Sequence, residues 1–118
     1  MSDKFKKPAF YFNDTFKMNY YFYLGWPVDA LKKYLRYDPP GIEHSSARTI
    51  EWQREDGVVV IHIWTRKKSD LASLVHECVH AAGMTLNRAG VKGDWLNDEP
   101  HAYLTEAIFK NATQKNKE

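Results

Sequence analysis

Residues 47–65 constrain the fold more than any other stretch of the chain. The first half of this stretch alternates in polarity, and the second half is rich in β-branched side chains, both typical of β-strands. Asp56-Gly57 lies between the halves, and this dipeptide favours the tight turn that joins two antiparallel strands. Because side chains alternate between the faces of a strand, His62 and Trp64 share one face of the second strand. The sequence therefore predicts a β-hairpin in the middle of the chain.

Shorter elements are predicted on both sides of the hairpin. Of the 17 Phe, Tyr and Trp residues, 14 lie at or before Trp64, and aromatic residues favour strands. The predicted elements are strands over residues 7–13 and 16–24, a helix from Pro27 that ends before Asp38-Pro39-Pro40-Gly41, and helices over residues 71–82 and 98–110. Residues 111–118 are polar and are predicted to fray. Together these elements predict a single α+β domain over residues 1–118, with a small, mostly antiparallel sheet packed against the helix over residues 71–82.

Composition narrows the classes of protein further. The chain has 118 residues, the size of one domain, and its formal charge of +2 is too small to hold duplex DNA or an anionic membrane by charge alone. Cys78 is the only cysteine, so an intramolecular disulfide is excluded and a reducing compartment is expected. No apolar run approaches the ~20 residues that cross a bilayer, and the first residues lack a secretory pattern. We therefore expect a cytoplasmic protein without a membrane segment.

His76-Glu77-Cys78-Val79-His80 is the strongest functional signal in the sequence. Two histidines four residues apart on a helix lie on one face, a turn apart, and can bind one metal ion through their imidazole nitrogens. Glu77 is offset by one residue, so it can flank the metal and take a proton from the water that the metal activates. Zinc suits this chemistry because it is a Lewis acid without redox activity. The motif predicts a Zn²⁺ site with His76 and His80 as ligands and Glu77 as the general base.

A catalytic zinc needs a third protein ligand and keeps its fourth position for water. The candidates downstream of the motif are acids and a histidine: Asp94, Asp98, Glu99, His101 and Glu106. Glu99 opens the last predicted helix, nearest the loop that returns from the motif, and we predict it as the third ligand. Asp98 and His101 are the alternatives. Without the two histidines, Glu99 would be interpreted as an acid that the helix dipole favours at an N-terminus.

Residues 69–109 resemble a minimal zincin metallopeptidase, and within the zincins the gluzincin arrangement of two histidines followed by a glutamate. The resemblance implies zinc ligation by His76, His80 and Glu99, with Glu77 as the general base of peptide hydrolysis. It also implies that the strand over residues 58–65 is the edge strand along which a peptide substrate lies. Residues 98–104 are similar to the C-terminal segment of small phage and prophage proteins described as peptidases, which implies a location in the host cytoplasm.

Two positions depart from the related patterns. Leu86 stands where the metzincins have a third histidine, which disfavours that branch, and Tyr103 stands where thermolysin-like enzymes have an aspartate that supports a ligand. The hydrogen-bond partners of the ligands must therefore differ from those in thermolysin-like enzymes. Tyr103 shares the helix face of Glu99, and it is predicted either to donate a hydrogen bond to an oxyanion or to pack against the core.

Three other groups of residues have structural interpretations. Cys78 is about 200° around the helix from His76, so we expect it in the core and not on the metal. His62 is expected to pack against the neighbouring strands. Arg66-Lys67-Lys68 is expected to be a solvated run before the metal-binding helix, although basic residues beside aromatic strands also suit single-stranded nucleic acid.

The sequence therefore predicts a zinc-dependent metallopeptidase, a protease that acts on a peptide or protein substrate. Three alternatives stay open: a non-catalytic zinc-binding module that captures a partner protein, hydrolysis of a non-peptide amide, and an accessory protein associated with nucleic acid. Every catalytic interpretation depends on the zinc ion.

Overall fold

The predicted hairpin forms two neighbouring strands of a four-stranded sheet. The computed structural model describes residues 5, 7–94 and 96–115 of the chain. In chain order the elements are β1 (Ala9–Asn13), β2 (Met18–Leu24), α1 (Val28–Leu35), a single 3-10 turn (Ile42–His44), β3 (Ala47–Gln53), β4 (Val59–Thr65), α2 (Leu71–Arg88) and α3 (Glu99–Lys115). The α+β class predicted from the sequence is confirmed, and the 3-10 turn lies between the predicted helix and the predicted hairpin.

The sheet is mixed, with strand order β1-β2-β4-β3. β1 pairs with β2 and β3 pairs with β4 in antiparallel fashion, as predicted, but β2 and β4 run parallel. The parallel pairing follows from the connection between these strands, because a chain that returns to the sheet in the same direction needs a crossover. Here the crossover carries α1 and β3. The prediction of a mostly antiparallel sheet is therefore correct for two of the three pairings.

β3 is the edge strand beside the hairpin, and β4 lies inside the sheet between β2 and β3. The prediction that the second hairpin strand forms the edge is therefore wrong. The physical reason is visible along β4, which buries Ile61 and Ile63 on one face and Trp64 on the other. A strand that is apolar on both faces gains most from an interior position, whereas the charged and polar side chains of β3 tolerate an edge.

The two faces of the sheet pack against different helices. α2 and α3 cover one face, and the core between them and the sheet is apolar. Its buried members are Met18, Tyr20, Phe22, Leu24, Ile61, Ile63, Leu74, Cys78, Ala81, Ala82, Leu86, Leu104, Ile108 and Ala112. A second cluster joins α1 to the opposite face, where the ring N–H of Trp64 donates to the Trp26 carbonyl at 2.8 Å. α2 is therefore fixed against the sheet along its length, which positions the residues of the histidine motif.

Both helices on this face extend beyond their predicted C-termini. α2 continues from Ala82 to Arg88 because Leu86 is buried in the core, and Gly90 follows with a φ of 76°. α3 continues to Lys115 because Ala112 is buried, so the prediction of fraying is wrong for residues 111–115. Residues 116–118, the rest of that predicted tail, lie outside the described residues.

Within the described residues, no helix combines the length and the apolar character that crossing a bilayer requires.

Candidate metal centre

The motif lies in the first half of α2, whose start is fixed by a side-chain cap. The carboxylate of Asp70 accepts a hydrogen bond from the backbone N–H of Ser73 at 3.1 Å. Such a cap satisfies one of the free N–H groups of the first turn and sets where the helix begins. Asp70 is therefore the residue that caps α2.

His76 and His80 lie side by side on the exposed face of α2. Their Nε2 atoms are 3.1 Å apart, and the ring centroids are 4.8 Å apart. Zinc–nitrogen bonds of about 2.0–2.1 Å in tetrahedral geometry put two nitrogens about 3.3 Å apart. The two imidazoles therefore fit a shared tetrahedral metal ion with little movement, as the four-residue spacing predicts.

Glu77 points toward β3 and is buried, with 8% of its surface exposed. Its Oε1 accepts a hydrogen bond from the Thr49 hydroxyl at 2.7 Å, and the same hydroxyl lies 3.1 Å from the backbone oxygen of Glu77. None of the ion pairs within the described residues includes Glu77. The carboxylate is thus held by a neutral partner and not by a cation.

A shallow pocket of about 390 Å³ opens beside His76 and Glu77. Small side chains line the rest of it: Ser45, Ser46, Ala47, Ala72 and Ser73. The motif therefore borders a space that is bounded by the start of α2 and by the segment leading into β3. Small lining residues leave room for a ligand beside the imidazole and the carboxylate.

Arg66 holds the wall of this pocket in place. Its guanidinium donates to the backbone oxygens of Ile42, Glu43 and Ser45 at distances of 2.9–3.3 Å. The backbone N–H of Arg66 also donates to the Ser46 oxygen at 2.8 Å. Arg66, Lys67 and Lys68 are exposed, which agrees with the expectation of a solvated run. The forked guanidinium of Arg66 can still satisfy several carbonyl groups of the loop before β3 together. Sequence reasoning missed these contacts of Arg66 and that of Thr49, because the partners lie 20 or more positions away in the chain.

The third-ligand candidates lie on or near α3, and the structure does not bring them to the histidines. Glu99 is the exposed first residue of α3. A groove of about 520 Å³ separates α3 from the exposed side of α2, and its acidic lining residues are Asp98 and Glu106. Among the described residues, no three or more His, Cys, Asp and Glu side chains form a group that could hold a metal. The structure thus pairs His76 with His80 and leaves the third ligand open.

His101 has a structural contact of its own. Its Nε2 donates to the backbone oxygen of Val79 at 2.9 Å, and its ring lies over Gly83, where a Cβ would be 3.5 Å from the imidazole Cε1. The ring therefore connects α3 to α2 one turn beyond the first histidine of the motif.

The remaining predicted residues have clear environments. Cys78 is buried as expected, and burial raises the pKa of its thiol to about 12. His62 packs between Tyr21 and Tyr23 as expected, with its Nδ1 2.7 Å from the Tyr23 hydroxyl. Tyr103 is 67% exposed, so the interpretation as a core residue is wrong. Its role as an oxyanion donor stays a prediction.

Comparison of the chain with models of known protein families, with curated proteins and with solved structures finds no match. The function is therefore inferred from the chemistry of the side chains around the motif.

Proposed function

We propose that this chain is a zinc-dependent metallopeptidase in which His76 and His80 bind the metal and Glu77 is the general base. The observation that carries the proposal is the pair of Nε2 atoms 3.1 Å apart, next to the buried Glu77 carboxylate, which forms no ion pair with any cation of the described residues. Burying a carboxylate without an opposite charge costs stability, so natural proteins keep such groups mainly where they have a chemical role. An ordinary amphipathic helix would have an apolar residue at this sheet-facing position.

The roles of the side chains follow from their chemistry. A bound zinc ion would supply Lewis-acid activation of water and of the scissile carbonyl. Glu77 takes one proton from the attacking water as the new carbon–oxygen bond forms. It then transfers this proton to the amide nitrogen as the carbon–nitrogen bond breaks. The products are a carboxylic acid and an amine, and Glu77 returns to its ionised form.

The substrate in this proposal is an extended peptide that adds to β3. At the two ends of the hairpin, the backbone N–H of Arg54 donates to the Val58 oxygen and the Ser46 oxygen accepts from the Arg66 N–H. Because hydrogen-bonded positions alternate along an antiparallel strand, the even-numbered residues of β3 direct their backbone groups toward β4. The N–H and C=O groups of Ala47, Thr49 and Glu51 therefore point toward the open edge. An added strand would receive backbone hydrogen bonds there, beside the pocket of His76 and Glu77.

Glu99 remains the proposed third ligand, with Asp98 and His101 as the alternatives. The acid at position 99 opens α3, and Asp98 immediately precedes it. Asp98 already lines the groove between the helices, so the choice between these two neighbours is an experimental one.

Zinc content tests the premise. Purified protein should bind one zinc ion per chain after loading and dialysis, measured by elemental analysis, whereas His76→Ala and His80→Ala should retain none. His44→Ala is the matched control, because His44 is an exposed histidine in the 3-10 turn and outside the motif. Zinc bound equally by His76→Ala and the control would contradict the proposed site.

Hydrolysis tests the enzyme separately from the metal. Zinc-loaded protein should cleave an unstructured protein or a peptide mixture, with products identified by mass spectrometry and activity lost on chelation. Tight zinc binding without cleavage of any peptide would favour the alternative of a non-catalytic module that captures a partner protein.

A further inference from the structure

Thr49 touches the proposed general base from the edge strand. Its hydroxyl carries one proton, and the nearer acceptor is Glu77 Oε1 at 2.7 Å, compared with 3.1 Å to the Glu77 backbone oxygen. A backbone oxygen within α2 already accepts a helical hydrogen bond. The carboxylate, in contrast, forms no ion pair with the part of the chain that the structure describes. The proton of Thr49 therefore serves the carboxylate.

The hydroxyl is the informative part of this side chain. Valine has the same shape as threonine and an equal or higher preference for strands, so packing and strand propensity alone would be satisfied by valine. What threonine adds at position 49 is a donor aimed at a buried carboxylate. That donor fixes which way the carboxylate points, because a charge-assisted hydrogen bond of this length is strongly directional.

Thr49 also faces the open edge of the sheet through its backbone. Its N–H and C=O belong to the odd-numbered set of β3 that does not bond to β4. One residue therefore presents a side-chain donor to Glu77 and backbone groups to the position of an added strand. Thr49 alone therefore sets the distance between the Glu77 carboxylate and a peptide strand that binds at this edge.

We propose that Thr49 is the positioning residue for Glu77, and that it fixes the position of the carboxylate relative to a peptide bound along β3. The inference rests on the proposed metallopeptidase function. It assigns the hydroxyl to orienting the base and the backbone to orienting the substrate, so the two functions can be separated by substitution.

The test compares Thr49→Val with Thr49→Ser in the zinc-loaded full-length protein. Thr49→Val should lower kcat by about 10- to 100-fold, the effect of losing one hydrogen bond to a charged group. KM should stay unchanged because the backbone of β3 is intact. Thr49→Ser restores the donor and should restore most of kcat. Both variants should bind zinc as the wild type does, because neither histidine contacts residue 49 through a hydrogen bond.

Thr65→Val is the matched control. Thr65 lies on the neighbouring strand, and its hydroxyl donates to the Lys67 backbone oxygen at 3.1 Å and not to Glu77. This variant should lose some thermal stability and keep kcat. Equal kcat values for wild type and Thr49→Val would overturn the proposal, and so would an equal loss in Thr65→Val.

Failure of the proposed function has a different signature. If the wild type cleaves no peptide, crystal structures of wild type and Thr49→Val decide the positioning role by themselves. A displaced Glu77 carboxylate in the variant supports that role, and an unchanged carboxylate overturns it.

Discussion

The carboxylate of Glu77 lies between two helical turns that carry imidazoles and an edge strand that supplies a single hydroxyl. No residue in this arrangement neutralises it by direct contact among the described residues. Its hydrogen-bond partner is the neutral hydroxyl of Thr49. The contact is therefore not an ion pair, and the role of Glu77 as a general base stays a prediction.

Replacing Glu77 by Gln tests this role directly. Gln has the same size and its amide oxygen can still accept the Thr49 hydrogen bond, so the fold and the zinc content should not change. Removal of a general base should lower kcat/KM by about 10²- to 10⁴-fold. Peptide cleavage by zinc-loaded protein, with elemental analysis of the same sample, measures both quantities. Wild-type turnover in Glu77→Gln would remove Glu77 from the mechanism.

At this scale the sequence predicted the histidine pair but not its surroundings. His76 and His80 share a face because the helix repeat is a local property, readable from a spacing of four. The contact between Thr49 and Glu77 depends on how β3 packs against α2, and 28 positions separate the two residues. No local pattern in the sequence contains that information.

Among the elements, α3 is the one whose placement decides the composition of the proposed metal site. It carries Glu99 at its first position, Asp98 immediately before, and His101 in contact with Val79. These three residues lie at different angles around one helical turn, so substituting each of them should affect zinc affinity and stability differently.

Alanine substitutions at the three positions distinguish them. Loss of the hydrogen-bond partner of a metal ligand weakens metal affinity by roughly 10- to 100-fold. Because Glu99 is proposed to be a ligand itself, Glu99→Ala should weaken zinc affinity by more than this. His101→Ala should lower the melting temperature and leave zinc affinity nearly unchanged, because its Nε2 bonds to a backbone oxygen. Competition titration against a zinc chelator and thermal unfolding measure the two effects. A larger loss of affinity in Asp98→Ala than in Glu99→Ala would transfer the assignment to Asp98.

The order of the elements along the chain was predictable from composition and turn residues, and all predicted strands and helices are present. The position of β4 inside the sheet was not, because the resemblance to a larger family supplied the edge assignment. The burial of both faces of β4 would have corrected it: Ile61 and Trp64 lie on opposite faces, and both are fully buried. A strand without a polar face is a signal for the interior of a sheet.

A histidine in the middle of the sheet makes the stability of the molecule depend on pH. Burial lowers the pKa of His62 from 6.5 to about 4, so the folded chain keeps this ring neutral while the unfolded chain takes up a proton. The free energy of unfolding therefore falls as the pH drops from 6.5 toward 4, by at most about 1.4 kcal/mol per pH unit. Above pH 6.5 the contribution of His62 to stability is fully present.

Urea unfolding at pH 7 and at pH 5 measures this contribution. His62→Gln has no titrating group, and its amide oxygen can accept from the Tyr23 hydroxyl that lies 2.7 Å from Nδ1 in the wild type. The variant should lose less stability than the wild type between the two pH values. The carboxylates titrate in both proteins, so the difference between the two stability losses reports on His62 alone. Equal losses would show that another group controls the acid response.

The parallel pairing of β2 with β4 has a consequence for how the chain reaches this structure. β1 with β2 and β3 with β4 are each joined by short turns, so both hairpins can form from nearby residues. The two hairpins pair with each other only when residues 25–58, which include α1 and β3, have closed into a loop. Closing a loop of this length costs conformational entropy, and such non-local pairing slows folding. Only the joined sheet offers α2 the combined surface of Tyr20, Phe22, Ile61 and Ile63. The helix that carries the two imidazoles therefore has its full supporting surface only when the two halves of the sheet are joined.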